Sequence, residues 1–278
     1  MVAPRQAGEP AARVESLLLA LLGEYLRDTG MAVSTTSLID ALGRLYVSEH
    51  STRTTLARMT RRGLLTSRRG GRRSYLALTD HAEEILRDGK ERLGADVVNR
   101  EWDGEWTILG FTIPEARRGD RHRLRARLRW AGFGLLPSGL WVAASSQEPD
   151  RLLDGLGLSD YVEVFHGAPA LPGDPSVLAQ YAWDLPALDE RYARFVDRWS
   201  DTGLHQAYDE LACLVLLTAE WLLLVRDDPR LPELLLPRDW AGLRAQRLFR
   251  KLRQEYGEPA GALAARTLET RPADSLRP

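Results

Sequence analysis

Residues 48–79 read SEHSTRTTLARMTRRGLLTSRRGGRRSYLALT, and the order of residue types in this stretch decides the fold of the first segment. Thr52, Leu56, Met59 and Gly63 group on one side of a helical wheel that advances about 100° per residue. His50, Ser51, Thr54, Arg58, Arg61 and Arg62 fall around the opposite side. The spacing predicts a helix opened by Val47-Ser48, running to about Arg62 and closed by Gly63. Leu64–Arg68 and Arg73–Leu78 then flank a tight Gly70-Gly71 turn, the pattern of a β-hairpin. Helix followed by hairpin is the order of a winged helix-turn-helix.

The same stretch carries the charge signal. Between Ser51 and Thr79 lie Arg53, Arg58, Arg61, Arg62, Arg68, Arg69, Arg72 and Arg73 and no carboxylate, in a 278-residue chain of net charge -1. A local surplus inside a neutral protein is a directed positive patch, suited to phosphates. Ordinary exposed helices mix both signs to gain i,i+4 pairs, whereas here like charges repel unless an anion compensates them. In a helix-turn-helix the third helix enters the major groove by its N-terminal residues. Ser48, His50, Ser51 and Thr54 are therefore the base-proximal candidates. Arg53 and Arg58 suit guanine or phosphate, Arg61 and Arg62 the backbone. Arg68, Arg69, Arg72 and Arg73 at the hairpin tip suit a minor groove or flanking phosphate.

Outward from this stretch, residues 13–29 read as a helix with Val14, Leu17, Leu18, Leu21, Leu22, Tyr25 and Leu26 on one stripe. A second helix carries Leu38, Ile39, Leu42 and Leu45 inward, and Thr79 caps a fourth. From Trp102 the character changes. Trp106–Pro114 is a strand, Arg117–Ala131 a basic helix with Leu124 and Leu128 inward, and Phe133–Leu136 and Gly139–Ala143 are strands. A helix near Pro149–Gly155 and a strand Tyr161–His166 complete a βαββαβ order, which is ferredoxin-like. From Pro186 the chain turns helical, with a strongly apolar helix over Leu204–Val225 and an amphipathic one over Trp240–Tyr256. The expected class is α+β, divided as 10–95, winged helix-turn-helix; 96–175, ferredoxin-like; 176–258, mainly helical; and 259–278, a flexible tail rich in alanine, proline and charge.

Composition narrows the classes further. The chain is 44% hydrophobic and 28% charged, ordinary for a soluble protein long enough for two or three cores. One cysteine, Cys213, sits among leucines as a buried thiol and cannot form an internal disulfide, so a reducing cytoplasm is the expected compartment. No apolar run is long and uncharged enough for a membrane span. A metal nuclease would need a carboxylate where the first ferredoxin-like strand ends, and that strand ends Gly110-Phe111-Thr112-Ile113. His50, His81, His122, His166 and His205 are scattered, without metal-ligand spacing, and neither a phosphate loop nor a nucleophile elbow is present. No catalytic residue, cofactor or metal is assigned. An RNA-binding protein would suit the basic helix, yet stacking aromatics are not interleaved with its arginines.

Ordered motifs add a resemblance. Arg53-Thr54-Thr55-Leu56-Ala57-Arg58-Met59, Arg62-Gly63-Leu64-Leu65 and Gly71-Arg72-Arg73-Ser74-Tyr75 lie in the first segment. Trp102-Asp103-Gly104-Glu105-Trp106, Gly132-Phe133-Gly134 and Gly139-Leu140-Trp141-Val142 follow, then Trp183-Asp184-Leu185, Asp228-Pro229, Leu235-Leu236-Pro237 and Trp240-Ala241-Gly242. The set, spanning Arg13 to Leu252, resembles the PaaX family, repressors of phenylacetic-acid degradation operons and their relatives. That resemblance implies a homodimeric winged-helix repressor of a catabolic operon, bound to double-stranded DNA, with a middle domain like the CRISPR adaptation nuclease subunit. It also implies release of DNA by an acyl-CoA effector, an aryl-acetyl thioester in the family. Trp183, Arg191, Trp199 and Trp240 are the effector-binding candidates.

Overall fold

The computed structural model describes residues 10–100, 102–145, 148, 152–167 and 175–277. It divides into two compact units. Unit 1 comprises Met1–Ala95, Trp199–Leu222 and Leu248–Pro278; unit 2 comprises Asp96–Arg198 and Leu223–Arg247.

Unit 1 opens with α1 (Pro10–Tyr25), β1 (Met31–Ser34), α2 (Thr35–Gly43) and α3 (Glu49–Arg61). The hairpin β2 (Leu65–Gly70) and β3 (Arg73–Leu78) follows, then α4 (Asp80–Gly94). The expected α1 stripe is buried at Val14, Leu17, Leu18, Leu21, Leu22 and Leu26, joined by Leu38, Leu42, Leu56, Met59 and Leu86. Ser48 caps α3 by accepting a hydrogen bond from the Ser51 N–H at 3.2 Å. Thr79 does the same for α4 through the Ala82 N–H. The turn sits one residue later than expected. Gly70 pairs with Arg73, so the loop is Gly71-Arg72, with Gly71 at φ 65, where a side chain would be strained.

In unit 2, β4 (Trp106–Phe111), α5 (Arg118–Trp130), β5 (Gly134–Leu135), β6 (Trp141–Ala143) and β7 (Val162–Gly167) follow in order. Their sheet runs β5-β6-β4-β7 with every pair antiparallel, the order of a βαββαβ chain whose crossover helices cover one face. Leu124 and Leu128 of α5 pack there with Leu109, Ile113, Phe133 and Trp141. Of the helix expected near Pro149–Gly155, residues 149–151 lie outside the described residues.

The third expected segment, 176–258, contributes to both compact units. Past α6 (Pro175–Ala182), α7 (Leu185–Ser200) belongs to unit 2 as far as Arg198, while α8 (Thr202–Ala207) and α9 (Glu210–Val225) to Leu222 belong to unit 1. Residues 223–247 return to unit 2, and the rest of α10 (Ala241–Thr267) and β8 (Thr270–Pro272) to unit 1. Leu211 to Leu217 and Ala219 are all buried, so α9 is covered on every side. Of the flexible tail expected over 259–278, residues 259–277 are ordered by secondary structure, and Pro278 lies outside the described residues. Pro259 lies inside α10, and Ala260 and Ala264 are buried, small side chains on a close-packed helix face. Among the described residues, no helix is long and apolar enough to cross a membrane.

Candidate nucleic-acid interface

Thr52, Thr55, Leu56 and Met59 turn α3 inward. His50, Arg53, Thr54, Ala57 and Arg61 are exposed along the other side, one stripe at i, i+3/i+4, i+7 and i+11. Ala57 belongs to that stripe although its small apolar side chain gave no sign of it. Ser51 is half-buried beside the cap it makes with Ser48.

The arginines separate by partner. Arg53 Nε donates to Glu49 one turn back at 2.7 Å, with both side chains more than half exposed. Exposed i,i+4 pairs contribute about 0.3–0.5 kcal/mol. A phosphate exchanges for Glu49 at little cost, so Arg53 stays available. Arg58 is different. Its guanidinium meets Glu15 of α1 at 3.1 Å, Arg62 meets the other oxygen at 2.6 Å, and the Glu15 side chain is only 16% exposed. Withdrawing Arg58 would leave one oxygen of a largely buried carboxylate without its partner and Arg62 alone on the other, which costs about 1–2 kcal/mol. Arg58, expected to face a groove, pairs α3 with α1 through Glu15. Arg61 is exposed and, among the described residues, carries no salt bridge.

On the hairpin, Arg68 is half-buried with Nε enclosed, and Arg69 and Arg72 are exposed without a salt bridge among the described residues. Arg73 pairs with Glu269, which also accepts from the Tyr75 hydroxyl at 2.6 Å. That hydrogen bond, ahead of the neighbouring arginines, holds the Glu269 carboxyl below its usual range and raises the Tyr75 phenol. No carboxylate in residues 51–79 announces this pairing; Glu269 comes from the far end of the chain.

The basic helix α5 is occupied otherwise. Arg117 binds Asp120 and the carbonyls of Leu156 and Gly157, Arg121 pairs with Glu115, and Arg123 with Asp120. Arg125 lies over the Phe111 ring and Arg129 over Trp141. The ring contacts fasten α5 to its own sheet, and the pairs hold its N-terminal end together and to residues 156–157. Among the described residues no group of three or more His, Cys, Asp or Glu side chains could hold a metal ion.

The effector candidates do not converge on one cavity. Trp183 lines a space of about 260 Å³ in unit 2 with Arg129, Phe133, Trp141, Asp184 and Asp227, its ring stacked on Trp106 at 6.3 Å. Trp240 lines a second of about 280 Å³ with Val98, Leu234, Leu236 and Pro237. Arg191 donates to the Leu223 carbonyl and pairs with Asp227. Trp199 is core in unit 1, donating to Glu220 at 2.9 Å. Beside the first cavity, the turn after Asp227 is anchored by buried Asp228, which accepts from the Tyr192 hydroxyl and the Arg230 N–H. Burial pushes the Asp228 carboxyl up to about 6.

Comparison with known proteins sorts these parts into one lineage. Residues 13–82 match the PaaX-like protein family, 99–179 the PaaX protein central Cas2-like domain, and 183–266 the PaaX-like protein C-terminal domain. The transcriptional repressor PaaX of Escherichia coli (strain K12) is 29% identical over 269 residues, which is 92% of this chain and 84% of that one. The solved structure of the uncharacterized protein Rv0674 from Mycobacterium tuberculosis is similar in fold, with a TM-score of 0.60 at 23% identity, covering 88% of this chain and 96% of the other. Three family regions in unbroken order, from residue 13 to 266, and a relative aligned over nearly the whole length make this chain a member of the PaaX family.

Proposed function

We propose that the chain is a DNA-binding transcriptional repressor of the cytoplasm, with residues 13–94 acting as a winged helix-turn-helix. One observation carries the reading: the exposed stripe of α3 and the hairpin tip present His50, Arg53, Thr54, Arg61, Arg69 and Arg72 outward, and among the described residues none of these side chains is in a salt bridge other than the exposed Arg53–Glu49 pair. The similarity to a transcriptional repressor supports it. Two copies of α3 in a homodimer would occupy half-sites about one helical turn, roughly 34 Å, apart. Stacking aromatics are absent from the stripe, so duplex fits it better than single-stranded RNA.

The effector reading narrows to the Trp183 cavity. At about 260 Å³ it lies just below the roughly 300–1,000 Å³ range of ligand pockets, so it suits an aryl or short acyl head rather than a whole thioester of coenzyme A. The nucleotide portion would remain outside, with Arg129 the cation among the residues lining the cavity. Release needs a preference for the non-binding state of only about 1–3 kcal/mol.

The test is fluorescence anisotropy with a labelled duplex from the region upstream of this chain's own gene, against RNA of the same sequence. Binding to the duplex, lost on adding an aryl-acetyl-CoA, is the expected result. Preference for the RNA would remove the repressor reading; duplex binding indifferent to every acyl-CoA tested would remove the effector.

A further inference from the structure

In unit 1 the segment Glu269–Arg277 straps the hairpin sheet. That sheet runs β2-β3-β1-β8, so β8 stands at one edge and β2 at the other. β8 pairs with β1 through Met31 opposite Pro272 and Val33 opposite Thr270, flanked by the Ser34 N–H on the Glu269 carbonyl and the Ala273 N–H on that of Gly30. From there the chain crosses one face of the sheet, burying Leu276 against Ala32, Tyr75 and Ala77. It arrives beside β2, where Arg277 and Arg69 exchange two main-chain hydrogen bonds of 2.7 and 3.1 Å.

Two features show that the hairpin is shaped for this strap. Gly70 has no room for a side chain, because a Cβ there would lie 2.8 Å from the Tyr75 ring and 2.9 Å from Leu276 Cδ2. Arg73 and Tyr75 both spend their polar ends on Glu269. The hairpin is thus three-stranded at its tip, and the added residue there is another arginine. Arg277 is exposed and shows no salt bridge among the described residues. Its position is fixed through the main chain, independently of its own side chain. The strap contains Glu269, Arg271, Asp274 and Arg277, so its formal charge sums to zero. Any electrostatic effect of Arg277 therefore comes from where it stands and not from added charge.

We propose that Arg277 is a phosphate-contacting residue of the DNA interface, carried to the hairpin tip beside Arg69 and Arg72 by the strap Glu269–Arg277. This deepens the repressor reading and rests on it. The ligand chemistry is the sugar-phosphate backbone of duplex DNA, met without reading base sequence.

Salt dependence tests the contact. Each phosphate neutralised on B-DNA contributes about 0.9 to the slope of log affinity against log salt. Arg277→Ala should lower that slope by about 0.9, so that the fall in affinity from 50 to 200 mM salt shrinks about 3.5-fold. Arg277→Glu should lower it at least as far. Both variants keep Leu276 and the main-chain pairing, and circular dichroism melting would confirm the fold. Arg266→Ala, which removes an equal charge from an exposed position near the end of α10, should leave the slope unchanged. The probe is the labelled upstream duplex. Wild-type slopes in both Arg277 variants, or an equal drop in Arg266→Ala, would overturn the proposal while leaving duplex binding intact. A wild-type protein that prefers RNA to the duplex would overturn the repressor reading and this contact with it.

Discussion

Replacing Asp228 with asparagine should erase a pH dependence that burial builds into unit 2. The carboxyl is 5% exposed, accepts from Tyr192 and from the Arg230 N–H, and faces the guanidinium groups of Arg191 and Arg230. Desolvation outweighs these favourable partners and raises it from 3.8 to about 6. For an acid with a raised folded pKa, the protonated form is the one the fold prefers. Its contribution to stability is whole below about pH 3.8 and is lost as the pH climbs through 6. At 1.36 kcal/mol per unit the full span is about 3 kcal/mol. Between pH 5 and pH 8 the protonated fraction accounts for a proton-binding ratio of about ten, or about 1.4 kcal/mol. Tyr192 titrates far above this window, its phenol raised chiefly by the same burial. Asparagine keeps one acceptor oxygen for the Arg230 N–H, can offer its amide N–H to the Tyr192 hydroxyl oxygen, and has no proton to lose. Urea unfolding of the two proteins, followed by tryptophan fluorescence, should show the variant's stability relative to wild type rising by about 1.4 kcal/mol from pH 5 to pH 8, at equal m-values. A difference that stays flat across that range would refute the assignment of this titration to Asp228. Since Asp227 and Trp183 line the same cavity, effector affinity is expected to follow the anchored turn.

Other replacements separate the roles of neighbouring arginines and of the cavity. Arg58→Ala should lose about 1–2 kcal/mol of stability by leaving Glu15 to Arg62 alone, with the salt slope of DNA binding intact; a flattened slope would return Arg58 to the groove. Arg61→Ala should do the reverse, changing stability by less than about 0.5 kcal/mol while removing about 0.9 from the slope. Gly70→Ala forces Tyr75 and Leu276 aside and should cost about 1–3 kcal/mol in thermal unfolding, whereas an unchanged melting temperature would mean the strap yields freely. Trp183→Ala should weaken aryl-acetyl-CoA binding by calorimetry without altering duplex affinity, and an unaltered thioester affinity would take the effector out of that cavity.

What was legible in the sequence is what is local. The inward face of α3, its Ser48 cap and the alternation of the hairpin are written in consecutive residues, and each is found where the spacing put it, the turn moved by one residue. The βαββαβ order of the middle segment likewise yields its strand ladder, although β5 and β6 are only two and three residues long. In the third segment a helix apolar all round declares burial without declaring its neighbours, so its sharing between the two compact units was not legible. Alanine, proline and charge past Gly257 resembled disorder, yet Ala260 and Ala264 are buried and β8 is paired residue by residue.

In the arginine run, counting charge along a chain presumes that neighbours in sequence are neighbours in space, which hides two distant carboxylates. Glu15 reaches Arg58 across 43 residues and Glu269 reaches Arg73 across 196. A carboxylate beside a phosphate-binding arginine competes with the phosphate, and burial sets the terms of that competition. Glu49 is exposed and yields Arg53 readily; Glu15 is enclosed and keeps Arg58. The run is therefore two devices sharing one residue type. Arg58, Arg62 and Arg73 pair with carboxylates from distant parts of unit 1 and Arg68 is half-buried, while on the proposed function Arg53, Arg61, Arg69 and Arg72 would meet an outside anion. Firmness in the first set is what gives the second its fixed geometry, so weakening Glu15 or Glu269 should loosen DNA binding even though neither carboxylate can touch a phosphate favourably.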